Sequence, residues 1–65
     1  MQLQLNGEAF EAQAATLLDL LQEAGFGEAT VATAVNGDFV PAGLREGHAL
    51  QDGDRIEVLA PMQGG

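Results

Sequence analysis

Few side chains in this sequence could do chemistry, and their spacing excludes most of it. His48 is the sole histidine, set in the acidic, glycine-rich stretch Glu46-Gly47-His48. An imidazole there is ordinarily a solvated surface group. To act as a base or a metal ligand it needs partners that the neighbouring sequence does not supply. Asp38, Asp52 and Asp54 suggest a cation site, but they lack the alternating oxygen ligands and distal glutamate of a calcium loop. Aspartates beside glycines also do ordinary turn work. The hydroxyl side chains are Thr16, Thr30 and Thr33, none beside the histidine in sequence, so an acyl-transfer triad has too few parts. Nine glycines are present, yet no Gly-x-x-x-x-Gly-Lys pattern occurs and lysine is absent, which removes a phosphate-binding loop. With no cysteine there is no thiol nucleophile, redox pair, disulfide or thiolate zinc site. A small hydrolase is disfavoured on these grounds, and no catalytic, metal or bound-cofactor site is expected.

What remains is the end of the chain, Pro61-Met62-Gln63-Gly64-Gly65. At ordinary glycine usage two terminal glycines arise by chance in about 0.5% of sequences. A frayed terminus or a purification scar would look the same, so the pair alone is a moderate signal. The physics of such a tail is more specific. Four extended residues span roughly 13 Å, enough to carry a carboxylate into a deep site. Glycines lack a Cβ, so the channel that admits them can be narrow. After Glu57 no side chain is charged, so insertion buries no unpaired ionised side chain. Pro61 stiffens the root of the tail and lowers the entropy lost on docking. The tail is suited to insertion into a partner's site.

The rest of the chain must hold that tail. Met1, Leu3 and Leu5 alternate with Gln2 and Gln4, the period of a half-buried strand. Asn6-Gly7 is the favoured pair for a two-residue type I′ turn. The return strand, Glu8 to Ala12, then sets Leu5 against Glu8, Leu3 against Phe10 and Met1 against Ala12. Thr16 with Asp19 three residues on resembles a capping box. Leu17, Leu20, Leu21 and Ala24 form one helical stripe, and Gly25 suits the left-handed position that ends a helix. Thr30 to Val35 reads as a β-branched third strand. Asn36-Gly37 turns the chain into Asp38-Phe39-Val40, a strand kept short or at an edge by Pro41. Residues 42 to 50 read as irregular, with Leu44 and Leu50 as core plugs. After the turn Asp52-Gly53-Asp54, residues Arg55 to Leu59 form a last strand with Ile56 and Val58 inward. Two strands, a helix, then three strands predict an α+β domain with the helix on one sheet face.

At 65 residues this is one small domain, which buries only about 60% of its unfolded surface and depends on a single apolar core. Its 46% hydrophobic content argues for folding over disorder. No apolar run approaches a bilayer span, and Met1-Gln2-Leu3-Gln4-Leu5 lacks the features of a signal peptide, so a cytoplasmic protein is expected. Ten acids against Arg45 and Arg55 give a net charge of −8. That charge repels nucleic acid and anionic membranes and attracts a basic partner surface. It also simply keeps a small protein soluble.

Three segments carry a resemblance: Val35-Asn36-Gly37-Asp38-Phe39-Val40-Pro41, Leu50-Gln51-Asp52-Gly53-Asp54-Arg55-Ile56-Glu57-Val58, and the terminal Gly64-Gly65. In their order, spacing and abrupt end, the chain resembles the ubiquitin-like sulfur carriers of thiamine (thiazole) biosynthesis over essentially its whole length. The resemblance implies a β-grasp fold: a mixed sheet of four to five strands, first and last strands parallel at its centre, and one main helix on one face. Residues 1–60 would form the domain and 61–65 a flexible tail. It also implies chemistry. An E1-like adenylyltransferase, using ATP and magnesium, would convert the Gly65 carboxylate to an acyl adenylate. Sulfur from a cysteine desulfurase route would replace AMP to give a thiocarboxylate, and thiazole synthase would receive that sulfur. Gly65 would carry the reacting group, Gly64 and Gln63 would line the partner's channel, and Met62 and Pro61 would position the tail. The chain would be a protein co-substrate and not an enzyme.

A proline shortly before the glycines is also similar to the small subunit of molybdopterin synthase. Chains of that kind are usually longer, so the length and the Asn-Gly…Val-Pro segment favour the thiamine carrier. Carriers for tRNA thiolation or protein conjugation share the same logic. From a different class, a passive ubiquitin-like interaction module would bind through its sheet face, needing an exposed apolar patch and tolerating any tail.

Overall fold

The computed structural model describes residues 1–27 and 30–60. Strand β1 (Gln2–Leu5) and strand β2 (Glu8–Glu11) form the expected hairpin, with Leu3 opposite Phe10 and Leu5 opposite Glu8. Asn6 and Gly7 both have positive φ, 52° and 84°, as a type I′ turn demands. β2 stops one residue earlier than expected, although the Ala12 amide still donates to the Met1 carbonyl at 2.8 Å.

Helix α1 (Leu17–Glu23) has seven residues, too few to be stable alone, and both its ends are closed by named groups. Thr16 Oγ1 accepts the Asp19 amide at 3.2 Å. The Leu17 and Leu18 amides donate to the carbonyls of His48 and Arg45 at 3.0 and 3.2 Å. At the other end Gly25, with φ of 94°, lets its amide reach the Gln22 carbonyl and the Phe26 amide reach the Leu21 carbonyl. That pair of bonds is a Schellman motif, and it folds Phe26 back against the core.

Strands β3 (Ala32–Val35) and β4 (Asp38–Val40) form the second hairpin about Asn36-Gly37, and β5 (Arg55–Leu59) closes the sheet. The strand order is β2-β1-β5-β3-β4, with β1 and β5 parallel and the other pairs antiparallel. A mixed five-stranded sheet with one helix over one face is the β-grasp architecture. Its core joins Leu3, Leu17, Leu20, Leu21, Val35, Val40, Leu50, Ile56 and Val58.

Two further expectations fail. The third strand was expected from Thr30, but β3 begins at Ala32. Its ladder ends where Ala32 meets Leu59, the last residue of β5, and the Val31 carbonyl is taken by the Arg45 guanidinium at 2.6 Å. Leu44 was expected in the core and is 63% exposed, whereas Leu50 is buried. Leu44 ends a short 3-10 turn, Ala42–Leu44, and the loop beyond it meets the helix through its backbone carbonyls.

Candidate functional site

The tail residues Pro61, Met62, Gln63, Gly64 and Gly65 lie outside the described residues. What the structure places is the root of the tail and the surface around it. β5 is the central strand, and its last two core residues, Ile56 and Val58, are 1% and 5% exposed. The described chain therefore ends just after the central strand, at Leu59-Ala60.

Four of the side chains that could do chemistry, Asp52, Asp54, Thr16 and Thr33, have structural partners. Asp52 Oδ1 accepts the Gln2 amide at 2.7 Å. Asp54 accepts from Asn36 Nδ2 at 3.0 Å and from the Gln51 amide at 2.9 Å, closing the turn before β5. Asp38 is exposed at the start of β4, and no group of three metal-ligating side chains occurs among the described residues. His48 is half-buried in the loop over the helix start, where its carbonyl accepts the Leu17 amide. Thr16 is the helix cap, and Thr30 is exposed. Thr33 is the buried polar side chain of the described core: its hydroxyl donates to the Val40 carbonyl at 2.8 Å and accepts from Arg45 Nε at 3.0 Å. The structure does not bring His48, the aspartates and the threonines together at one site.

The sheet face away from the helix shows what sequence reasoning missed. Alternation along the strands puts Gln2, Gln4, Ala9 and Glu11 on its β1–β2 half, which is mostly polar. The other half carries Phe39, Ala34 and Glu57 in one cross-strand row, with Ala32 and Leu59 in the next. Phe39 is 67% and Leu59 68% exposed. Shallow depressions lined by Ala32, Ala34, Phe39 and Leu59, then by Val31, Leu59 and Ala60, make this surface continuous with the root of the tail. Glu57 stands among these apolar groups, and the ion pair among the described residues lies elsewhere, between the Met1 ammonium and Glu11 at 3.1 Å. Such a surface fits a partner that is apolar with a cation opposite Glu57. Alternation alone turns Leu59 outward once Ile56 and Val58 face inward, and Phe39 outward once Val40 faces inward, but bringing the two together needs the strand order.

No helix among the described residues is long and apolar enough to cross a membrane.

The model of the ThiS family matches residues 3–65 of the chain. Among solved structures, the fold is similar to the crystal structure of the thiamine biosynthesis protein ThiS from Geobacter metallireducens, with a TM-score of 0.84, 28% identity and all of both chains covered. It is also similar to the solution structure of a thiamine biosynthesis protein from the same organism, with a TM-score of 0.79 and 26% identity, covering 100% of this chain and 88% of that one. No curated protein matches the sequence.

Proposed function

The chain belongs to the ThiS family, and from that premise we propose that it is a sulfur carrier of thiamine thiazole biosynthesis whose working group is the Gly65 carboxylate. One observation carries the reading: the family match runs to residue 65, so Gly64-Gly65 falls inside the family pattern. The structural bonds of Asp52, Asp54, Thr16 and Thr33 support it, because those side chains serve the fold and the chemistry is left to partner enzymes.

A carboxylate is a poor electrophile, so it must first gain a leaving group. The Gly65 carboxylate oxygen attacks the α-phosphorus of magnesium-bound ATP on an E1-like adenylyltransferase, and pyrophosphate departs. Sulfur at the sulfide oxidation level, supplied through a cysteine desulfurase route, then attacks the acyl carbon. The C–O bond to AMP breaks, a C–S bond forms, and the resulting thiocarboxylate passes its sulfur to thiazole synthase. Residues 1–60 serve as the handle, and Pro61, Met62, Gln63 and Gly64 fill the partner's channel. ATP and magnesium belong to the adenylyltransferase, and the Phe39–Leu59 face is the surface on which that enzyme docks. With acids outnumbering bases ten to two, a basic partner is also steered toward this chain.

The test is intact-mass measurement after incubation with the adenylyltransferase, ATP, magnesium and a sulfur donor. An acyl adenylate, then an oxygen-to-sulfur mass change at Gly65, is the expected result; an unchanged mass overturns the reading. The exposed apolar half-face also suits a passive interaction module, which is the second reading. A residue appended after Gly65 separates the two, because a module keeps its partner and a carrier loses activation.

A further inference from the structure

The two Asn-Gly turns share their backbone geometry, with both asparagines at φ of 52°, and each asparagine side chain reaches across to β5. They grip opposite ends of that strand. Asn36 holds the entrance: its Oδ1 accepts the Arg55 amide at 3.0 Å and its Nδ2 donates to Asp54 Oδ1 at 3.0 Å. Asn6 holds the exit: its Oδ1 accepts the Val58 amide at 2.8 Å and its Nδ2 donates to the Val58 carbonyl at 3.2 Å.

The Asn6 contact replaces a missing piece of sheet. The parallel pairing of β1 with β5 covers only Gln4 with Arg55 and Leu5 with Ile56, and the Asn6 amide makes its last backbone bond, to the Ile56 carbonyl at 2.8 Å. β1 then turns away into Gly7. On that side the next rung of β5 is the N–H and C=O of Val58, a residue 5% exposed, and both groups would be orphaned there. A carboxamide carries the same donor and acceptor as a peptide group. Asn6 thus supplies one extra rung from a side chain and carries two-sided pairing of β5 from Ile56 to Val58, three residues before Pro61.

We infer that Asn6 is a positioning residue for the tail: its carboxamide fixes the root at Val58, so the carboxylate-bearing segment leaves the domain from a defined point. The inference rests on the carrier reading. Without the rung, β5 beyond Ile56 is held only by β3, and the root must be re-ordered at each docking event. Apparent affinity then falls by the fraction of molecules with a docking-competent root. If that fraction drops to between about one-third and one-tenth, the KM for the carrier rises about 3- to 10-fold while kcat stays unchanged, since the docked complex is the same.

Asn6→Gly removes the carboxamide and keeps a residue at ease with positive φ, so turn strain does not confuse the outcome. Asn36→Gly is the matched control at the other end of the strand. Both are assayed by ATP–pyrophosphate exchange with the E1-like adenylyltransferase, and the Val58 amide is followed by hydrogen exchange. The expected result is faster Val58 exchange and a raised KM for Asn6→Gly alone, with thermal midpoints of the two variants alike. Equal KM values for the two variants, or Val58 exchange unchanged by Asn6→Gly, overturn the positioning role while wild-type activity leaves the carrier reading standing. A wild-type chain that supports no exchange overturns the carrier reading, and the positioning role with it.

Discussion

If the adenylyltransferase docks on the Phe39–Leu59 face, truncating either side chain should weaken activation by a predictable amount. Phe39 is 67% and Leu59 68% exposed, so roughly two-thirds of each side chain's burial is still to be gained on docking. Full burial of such a side chain is worth ~1.5–3 kcal/mol, which leaves about 1–2 kcal/mol for each. The translational and side-chain entropy lost on association falls on wild type and variant alike and largely cancels in the comparison. At 1.4 kcal/mol per decade, Phe39→Ala or Leu59→Ala should raise the KM for the carrier about 5- to 30-fold. Fold stability should change little, within about 1 kcal/mol, because the variants lose mainly exposed cross-strand pairs with Ala34 and Ala32. Gln4→Ala, on the polar half of the same face, serves as the control. The assay is ATP–pyrophosphate exchange over a range of carrier concentrations, alongside urea unfolding of each variant. Unchanged KM values for both Phe39→Ala and Leu59→Ala, in folded protein, would refute the assignment of this face to docking.

Other expectations follow from the same geometry. Removing Gly65, or adding one residue after it, should abolish adenylation in the intact-mass assay while leaving the circular dichroism spectrum and unfolding midpoint unchanged. Thr33→Val deletes a hydrogen bond to the charged Arg45 and one to the Val40 carbonyl, partly offset by a buried methyl, for a net loss of ~1–3 kcal/mol in urea unfolding. In an Arg45→Met background the same substitution should cost clearly less, because one of its two partners is already gone. Gly25→Ala should destabilise by ~1–2 kcal/mol in the same measurement: no atom lies within 4 Å of the added Cβ, so the cost is the left-handed backbone alone. Glu57→Lys should slow association with the adenylyltransferase more than Glu57→Gln, with the gap narrowing in high salt, as stopped-flow binding would report.

The elements that sequence reading located are those whose signals are local. Asn6-Gly7 and Asn36-Gly37 set their turns because the required positive φ is a property of the pair itself. Thr16 and Gly25 bracket the helix through bonds spanning only a few residues. The failures are the places where a distant group decides. β3 starts late because Arg45, 14 residues from Val31, claims the Val31 carbonyl, and because β5 has no residue left to pair beyond Leu59. The apolar half-face needed the register of three strands before Phe39, Ala34 and Leu59 could be seen as neighbours. Of the candidate site, sequence reading named the tail, and the apolar half-face and the Asn6 rung came only with the sheet.

Leu44 shows why a side-chain search misread the loop before β5. A leucine among glycines invites the inference that it plugs the core, because burial is the strongest use of its side chain. The helix that this loop meets is only seven residues long, and it has orphan amides at its N-terminus. Those amides need carbonyls more than the core needs another leucine, and the carbonyls of Arg45 and His48 meet Leu18 and Leu17. Arg45 is fixed for that task by Thr33 and the Val31 carbonyl, which tie the loop to β3 and so to the neighbour of β5. Helix start, loop and central sheet therefore form one connected framework, and the tail leaves from its middle strand. On the carrier reading, a root held by this framework would lower the entropy that docking has to spend on residues up to Ala60.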